Sequence, residues 1–501
     1  MTTAGQYPFP GDRTPYASAL ERHMARQPTM LQVPGHGATS AGPSQRLAEF
    51  AGERAVAMDI PRLVEGIDVG PHSPLVRAQE LAAEAWSARQ TWFLTNGASQ
   101  ANRMAAIAVG SRGRGSAVLM QRSAHSSFTD GVLVADLLPF FMMPSVDTAR
   151  GIHHGVTAAQ VSTHLDEARA AGEEVGAVYI VSPSYFGAVA DVAAISRVTR
   201  AAGVPLIVDG AWGAHFGFHP EFPESPTRLG ADLVISSTHK LGGSLTQSAM
   251  IHLGEGPFAD EFAPLLERAF MLTQSTSESA LLLGSLDIAR ATLEDGEGFS
   301  ESVAAVAAFR DRLRGDGRFP IVSDSFGDFP DIVADDPMRV SIDVTSTGLT
   351  GHAVRSLLGE RFAVYLEIAT VSAVVAFIGP GKLPDLDRLL SGLETLHAER
   401  GSAPLVGLEA IPPLPRPGDL RTRPRQAYFG AHRTVSAEDA IGRVSVDALS
   451  AYPPGIPNVL PGEEITRETV EFLRAVAAAP IGYVRGALDP AVAELRVLDV
   501  E

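Results

Sequence analysis

Short apolar runs alternate with segments of helical period from about residue 75 to residue 253. Apolar runs of four to six residues predict strands, and apolar residues three and four positions apart predict helices. The predicted strands lie at 91–96, 117–120, 177–182, 205–209, 233–237 and 249–253, and the predicted helices at 76–88, 101–109 and 192–203. This alternation is typical of an α/β domain with a mostly parallel sheet covered by helices.

A second alternating region covers about residues 300–400 and predicts a smaller α/β domain. Its predicted helices are 303–313, 351–360 and 385–396, and its predicted strands are 339–344 and 362–368, the latter containing Glu367. A proline-rich stretch follows and is typical of a linker. The predicted divisions are an N-terminal segment 1–74, a large domain 75–298, a small α/β domain 299–400, a linker 401–430 and a C-terminal domain 431–501.

Composition narrows the classes of protein and partner. The 501 residues are 45% hydrophobic, enough to bury large cores in more than one domain. A net charge of −18 argues against nucleic acid and mildly favours cationic small molecules. The absence of cysteine excludes disulfides and thiolate catalysis. The first residues do not resemble a signal peptide, and the apolar stretch 371–379 is too short to span a membrane, so we expect a cytoplasmic protein without membrane segments.

Polar residues follow several of the predicted strands directly. Lys240 follows the strand at 233–237, Asp209 ends the strand at 205–209, and residues 96–99 follow the strand at 91–96. Ligands of open α/β sheets bind outside the carboxyl ends of strands, so we expect these residues to meet in one crevice.

The chemistry of these residues fits pyridoxal 5′-phosphate. A partly desolvated lysine such as Lys240 can form a Schiff base with an aldehyde, and Asp209 can keep a pyridine nitrogen protonated. The glycine turn before a helix offers backbone N–H groups from Gly97, Ala98 and Ser99 to a phosphate. His125 can stack on one face of the ring, and Ala211 is small enough to pack against the other.

The motifs around these residues resemble the fold-type I pyridoxal phosphate decarboxylases of ornithine, lysine and arginine. The resemblance rests on "STHK" with "LTQSAMIHL", on "PLIVDGAWGAHFGFHP", on "QSTSESALLLGSLDIARATLE" and on "AIGRVSVDALSAYPPGIPNVLPGEEIT", and it extends from about residue 15 to the end. The length is similar to that of the shorter branch, which lacks an N-terminal wing domain.

The resemblance implies a role for each candidate residue. Lys240 would carry the cofactor, Asp209 would pair with its pyridine nitrogen and His125 would stack on its ring. Ser99, Ser237 and His239 would contact the phosphate, and Thr276 would reach the phosphate of a neighbouring subunit. The resemblance therefore implies a homodimer as the smallest functional unit.

Several positions depart from the pattern of the family, among them "HKLGG", which replaces the common Thr-Leu after the lysine. Ser126 follows His125 where the family usually has lysine, and Gly210 and Trp212 stand where the shorter branch usually has an acid and a histidine. These positions lie in or beside the expected cofactor site, so they bear on substrate and reaction type rather than on cofactor binding.

Three classes of function fit the sequence. The first is decarboxylation of arginine, lysine or ornithine, and the second is another reaction of the same cofactor, such as transamination or oxidation of a specialised substrate. The third is a non-catalytic regulatory protein, which would have no need of Lys240, Asp209 and His125 together. The choice between the first two depends on substrate orientation, which a sequence does not contain.

Glu463 is the candidate contact for the distal cation of a basic substrate, because a desolvated carboxylate is the simplest partner for such a group. The alternative is that Glu463 caps a helix beginning near Ile465.

The histidines do not suggest a metal site. His215 and His219 are expected to be packed or hydrogen-bonded, since Pro220 disfavours a continuing helix. His153 and His154 are expected on a surface loop.

Overall fold

The computed structural model describes residues 11–381, 383–400, 414–452, 455–479 and 482–499. Part of the predicted linker, 401–413, lies outside the described residues. The α-helices of the described residues are α1 Pro15–Ala25, α2 Gln45–Ala51, α3 Glu53–Met58, α4 Pro74–Ala85, α5 Gly97–Ser111, α6 Ser126–Ala135, α7 Ala158–Ala170, α8 Val192–Ala201, α9 Ala259–Thr273, α10 Ala280–Asp295, α11 Ser300–Asp316, α12 Gly351–Phe362, α13 Leu386–Glu399, α14 Pro424–Phe429, α15 Ala437–Ala440 and α16 Arg467–Ala478.

Most strands are short. The strands are β1 Ala88–Leu94, β2 Ala117–Gln121, β3 Leu138–Met142, β4 Val146–Asp147, β5 Ile152–His153, β6 Val175–Val181, β7 Ala188–Val189, β8 Leu206–Asp209, β9 Leu233–Ser236, β10 Ala249–Gly254, β11 Ala334–Asp335, β12 Arg339–Asp343, β13 Ile368–Ala369, β14 Ala373–Phe377, β15 His432–Ser436, β16 Leu449–Tyr452, β17 Pro457–Val459, β18 Tyr483–Arg485 and β19 Glu494–Leu498.

The chain forms two compact units. The first unit comprises Met1–Ala108, Ile207–Ser300 and Gly379–Gly381, and the second comprises Val109–Leu206, Glu301–Ile378 and Lys382–Glu501. The domain boundaries expected from the sequence remain predictions.

The first unit contains the strands β1, β10, β9 and β8, in that order. β8 and β9 are parallel, with Ile207 opposite Leu233, whereas β10 is antiparallel to both β9 and β1. All residues of β8, β9 and β10 are buried, which explains their continuous apolar sequences. Two reversals of direction leave β1 parallel to β9, so the carboxyl ends of β1, β8 and β9 share one edge of the sheet.

The second unit contains β6, β2 and β3, in that order and all parallel. It also contains a small antiparallel sheet, β12-β14-β13, with α12 packed against β14. Near the carboxyl terminus, β17-β16-β18 and the pair β15-β19 surround an apolar core that includes Leu449, Leu473 and Val497. The predicted α/β class with a mostly parallel sheet is confirmed.

One predicted strand is wrong. Residues 362–368 were expected to be extended, but α12 continues to Phe362, and Ala363 then adopts a left-handed φ of 52°. A short irregular segment follows, and only Ile368 of the predicted strand is paired. The next apolar run along the chain, Ala373–Phe377, is extended instead and forms β14, the central strand of the small sheet.

Candidate active site

Three segments of the first unit meet at the edge where β1, β8 and β9 end. Asp209 is the last residue of β8, the segment Ser237–Lys240 follows β9, and α5 begins at Gly97, three residues after β1. This is the convergence that the sequence pattern predicts.

The Asp209 carboxylate is buried and fixed by two donors. The side chain is 4% exposed, Asn102 Nδ2 donates to Oδ2 at 3.1 Å, and the Ala211 backbone N–H donates to Oδ1 at 3.1 Å. Asn102 lies on the second turn of α5, so the helix orients the carboxylate at the end of β8. Asn102 was not a candidate from the sequence, although it lies eight residues after the end of β1 at Leu94.

Lys240 extends over the indole of Trp212. Its Nζ lies 3.5 Å from the ring centroid, and Trp212 is buried. A cation over an aromatic face is attracted by the ring quadrupole, and the contact holds the lysine side chain in one direction. The departure at Trp212 therefore has a structural consequence, because a tryptophan at this position supports the lysine.

The start of α5 provides backbone donors at the same edge. Gly97 has a φ of +72°, a conformation that glycine adopts without strain, and the helix continues for 15 residues to Ser111. The first N–H groups of a helix have no partner inside it, so those near Gly97, Ala98 and Ser99 suit an anion.

Around the lysine, Ser237 is buried, and the Nδ1–H of His239 donates to the Ser248 carbonyl oxygen at 2.9 Å. The buried hydroxyl of Thr238 has no hydrogen-bond partner among the described residues. Thr238 was not a candidate from the sequence, although it lies within the "STHK" motif. Thr276 is exposed between α9 and α10.

His125 lies in the second unit, at the amino terminus of α6. Its Nδ1 accepts a hydrogen bond from the Ser127 backbone N–H at 3.2 Å and lies 2.8 Å from the Ser127 hydroxyl. The histidine caps α6 in this way, and Nε2 carries the proton in the neutral ring. Ser126, at the first departure from the family pattern, is exposed.

A cavity of ≈ 510 Å³ opens beside His125 within the second unit. Its walls come from the start of α6, from β5, and from loops near residues 185, 370, 455 and 485. Volumes in this range are typical of small-molecule sites.

Glu463 is not a wall of this cavity and is already paired. Arg122 Nη1 and Nη2 donate to its two carboxylate oxygens at 2.7 and 2.8 Å, and the Leu460 N–H donates to Oε2 at 2.9 Å. The two side chains are 0% and 3% exposed. Arg122 also donates to the carbonyl oxygens of Pro457 and Asn458. The pair therefore holds the segment 457–463 to the end of β2, and Pro457, Leu460 and Pro461 of this segment line the cavity.

The expected capping role of Glu463 is wrong. The last helix begins at Arg467, and its cap is Thr466, whose hydroxyl accepts from the Thr469 N–H. Contact of Glu463 with a substrate cation remains a prediction, and the bidentate pair with Arg122 argues against it.

The expected surface position of His153 and His154 is also wrong. Their exposures are 7% and 1%, because His153 lies in β5 and His154 packs against Phe326 and Phe329. Burial lowers the pKa of His153 to about 3 and that of His154 to about 4. His215 and His219 are packed as predicted, each against Phe222.

Among the described residues, no group of three or more histidines or acids is placed to hold a metal ion. None of the described helices is long and apolar enough to cross a bilayer.

Comparison with known sequences gives matches along nearly the whole chain. The model of the family "Orn/Lys/Arg decarboxylase, major domain" matches residues 14–324, and that of the C-terminal domain of the same family matches residues 419–480. The arginine decarboxylase of Bacillus subtilis is 33% identical, with 92% of this chain and 93% of the relative covered. The arginine decarboxylase of Bacillus anthracis is 30% identical over 97% of both chains.

Comparison with solved structures gives the same fold. The constitutive lysine decarboxylase of E. coli superposes with a TM-score of 0.78 at 20% identity, covering 97% of this chain and 82% of the other. Serine palmitoyltransferase of Sphingomonas wittichii superposes with a TM-score of 0.52 at 15% identity, covering 74% of this chain and 86% of the other.

Proposed function

The chain belongs to the Orn/Lys/Arg decarboxylase family, and from that premise we propose that it decarboxylates arginine with pyridoxal 5′-phosphate attached at Lys240. The observation that carries the choice of arginine is that the Bacillus subtilis and Bacillus anthracis relatives, at least 30% identical and matched over more than nine-tenths of this chain, are arginine decarboxylases. The alternatives from the sequence, transamination, oxidation or a regulatory role, have no specific support in the structure.

The residues at the edge of the first sheet fit the cofactor. Asp209 is a buried carboxylate with a fixed direction, which suits a protonated ring nitrogen. The amino terminus of α5 suits a phosphate, and the unpartnered buried hydroxyl of Thr238 is a further donor beside Lys240. Gly97, Ala98, Ser99, Ser237 and His239 are the other proposed phosphate contacts, and Ala211 is the proposed contact on one ring face.

When bound, the cofactor supplies an electron-withdrawing ring that accepts the electron pair left by carbon dioxide. Lys240 is the proposed attachment point, and Trp212 supports its side chain. Asp209 holds a proton at the ring nitrogen, which keeps the ring electron-withdrawing. His125 is the proposed stacking partner, and its ring is oriented by Ser127. Overall, arginine and one proton give carbon dioxide and the corresponding amine.

The assembly and location are also proposals. A homodimer, with Thr276 reaching the neighbouring phosphate, is supported by the exposed position of Thr276 and by the family resemblance. Sedimentation of the purified protein tests the dimer. A cytoplasmic location is compatible with the absence of cysteine from the sequence.

Product analysis tests the proposed reaction. The purified protein, loaded with pyridoxal phosphate, is incubated with arginine, lysine and ornithine, and carbon dioxide and amines are measured. We expect equal amounts of carbon dioxide and decarboxylated arginine, with the highest kcat/KM for arginine. A keto acid would indicate transamination, hydrogen peroxide would indicate oxidation, and a higher kcat/KM for lysine would contradict the substrate.

A further inference from the structure

The cavity of the second unit has a largely uncharged, aromatic interior. Its walls include the rings of Tyr185, Phe186, Tyr452 and Tyr483. The last two stack at 4.9 Å with planes 4° apart. Aromatic faces attract cations, and guanidinium groups in particular stack on them.

The wall carries two residues with full charges, Asp130 and Arg485. Asp130 is half-buried and Arg485 is exposed, and their charges are opposite. The acid that the sequence suggested for a substrate cation, Glu463, is paired with Arg122 outside the wall. Recognition of a distal cation in the buried part of the cavity therefore requires a neutral hydrogen-bonding group.

His153 is such a group. It lies on the cavity wall at the end of β5, it is 7% exposed, and its ring meets the edge of Tyr185 at 6.3 Å. Its Nδ1 has no hydrogen-bond partner among the described residues. That nitrogen is closed off by the protein, so a ligand in the cavity would meet the other ring nitrogen, Nε2, which accepts a hydrogen bond when the proton is on Nδ1.

Burial also fixes the charge state of this histidine. It lowers the pKa of His153 to about 3, so the ring is neutral at physiological pH. A neutral imidazole has one acceptor nitrogen and does not repel a cation.

We propose that the cavity binds the side chain of the substrate and that His153 accepts a hydrogen bond from its guanidinium group, an inference that rests on the proposed function. Position supports this, because the cavity also contains His125, the proposed stacking partner of the cofactor. His153 is a substrate-binding residue in this proposal, and the aromatic rings supply the flat contacts.

The wall chemistry favours arginine over lysine. A guanidinium group is planar and more weakly hydrated than an ammonium group. It therefore loses less hydration free energy when it enters an aromatic cavity that has no buried carboxylate. The same argument disfavours ornithine, whose ammonium group is carried on a shorter side chain.

Substitution of His153 tests the proposal. His153→Phe retains an aromatic ring but removes the acceptor, and we expect KM for arginine to rise about ten- to a hundredfold while kcat is retained, the scale of one charged hydrogen bond. His153→Gln restores an acceptor and should recover most of the affinity. KM for citrulline, the uncharged analogue of arginine, should change much less in either variant.

The chain offers a matched control. His432 is an exposed histidine of β15 and lies outside the cavity wall. His432→Phe should leave KM for arginine within about twofold, because an exposed side chain away from the cavity makes no contact with the substrate. An unchanged KM in His153→Phe, or an equal rise in His432→Phe, would overturn the proposal. Circular dichroism checks each fold, and His153→Leu replaces His153→Phe if that variant does not fold.

Failure of the reaction and failure of the binding site give different results. If the wild-type protein releases no carbon dioxide from any amino acid, the proposed function fails. Calorimetric titration of arginine into the cofactor-loaded wild-type and His153→Phe proteins then still decides the site. Weaker binding by the variant supports the role of His153, whereas equal binding or no binding by either protein rejects it.

Discussion

The two regions that carry the candidate residues are built differently. In the first unit, Asp209 and Lys240 lie one strand apart, each at or just after the end of a buried parallel strand. In the second unit, the cavity wall depends on Arg122 and Glu463, whose positions differ by 341 residues. The first arrangement follows from strand direction, whereas the second depends on a side-chain pair that forms only in the folded chain.

The largest expected effect comes from substitution of Lys240. The sequence contains two lysines, Lys240 and Lys382, so a labelled lysine can be assigned by peptide mapping. Lys240→Ala should reduce turnover by about a thousandfold or more, since it removes the proposed covalent attachment. Borohydride should fix the cofactor to Lys240 in the wild-type protein and in the control Lys382→Arg. Peptide mapping of the label to Lys382 would show that the assignment is wrong.

A smaller loss is expected from Asp209. Asp209→Asn should retain the visible absorption of the bound cofactor but lower kcat by about a hundredfold or more, because the ring nitrogen loses the charge that keeps it protonated. Asn102→Ala removes only a donor to that carboxylate, so about a tenfold loss is expected. Equal turnover of Asp209→Asn and wild type would refute the role.

In the second unit, Glu463→Gln should act on stability. It leaves the charge of Arg122 buried without its counter-ion, and breaking a buried pair costs about 3–5 kcal/mol. Replacement of both residues by methionine should recover most of that loss. Urea unfolding should be followed by far-UV circular dichroism rather than by tryptophan fluorescence. The 3 tryptophans of the chain, Trp86, Trp92 and Trp212, all lie in the first unit, whereas Glu463 lies in the second.

An exposed pair of similar geometry provides the control. Arg361 donates to both carboxylate oxygens of Glu399 at 2.7 and 2.6 Å, and the two side chains are 39% and 50% exposed. Glu399→Gln should cost no more than about 1 kcal/mol, because water screens the pair. Similar losses of unfolding free energy in Glu463→Gln and Glu399→Gln would show that burial of the Arg122–Glu463 pair does not determine its contribution to stability. A raised KM with unchanged stability in Glu463→Gln would restore its direct contact with substrate.

His154 should make the fold sensitive to acid. Its pKa in the fold is about 4, below the ordinary 6.5, because burial disfavours the charged ring. The unfolded chain therefore binds more protons below about pH 6.5, and this contribution to stability is lost as the pH falls towards 4. Between pH 7 and pH 5 the wild-type protein should lose about 2 kcal/mol that His154→Phe does not lose. Parallel curves for the two proteins would contradict the buried neutral state.

The sequence by itself determined the elements that precede the candidate residues. Continuous apolar runs mark β8, β9 and β10 because both faces of these strands are buried. The edge at which Asp209 and Lys240 lie then follows from strand direction. The motifs around these two residues also sufficed to identify the family.

The tertiary structure alone decided the surroundings of these residues. The pairing of Arg122 with Glu463, the burial of His153 and His154, and the contact of Lys240 with Trp212 join residues whose local sequences carry no sign of one another. The predicted strand at 362–368 failed for a related reason: the apolar run does not show where α12 ends, and the residues between Phe362 and Ile368 form an irregular segment in the folded chain. Local periodicity reports the secondary structure of a segment, whereas burial and long-range charge pairing depend on what the folded chain places beside it.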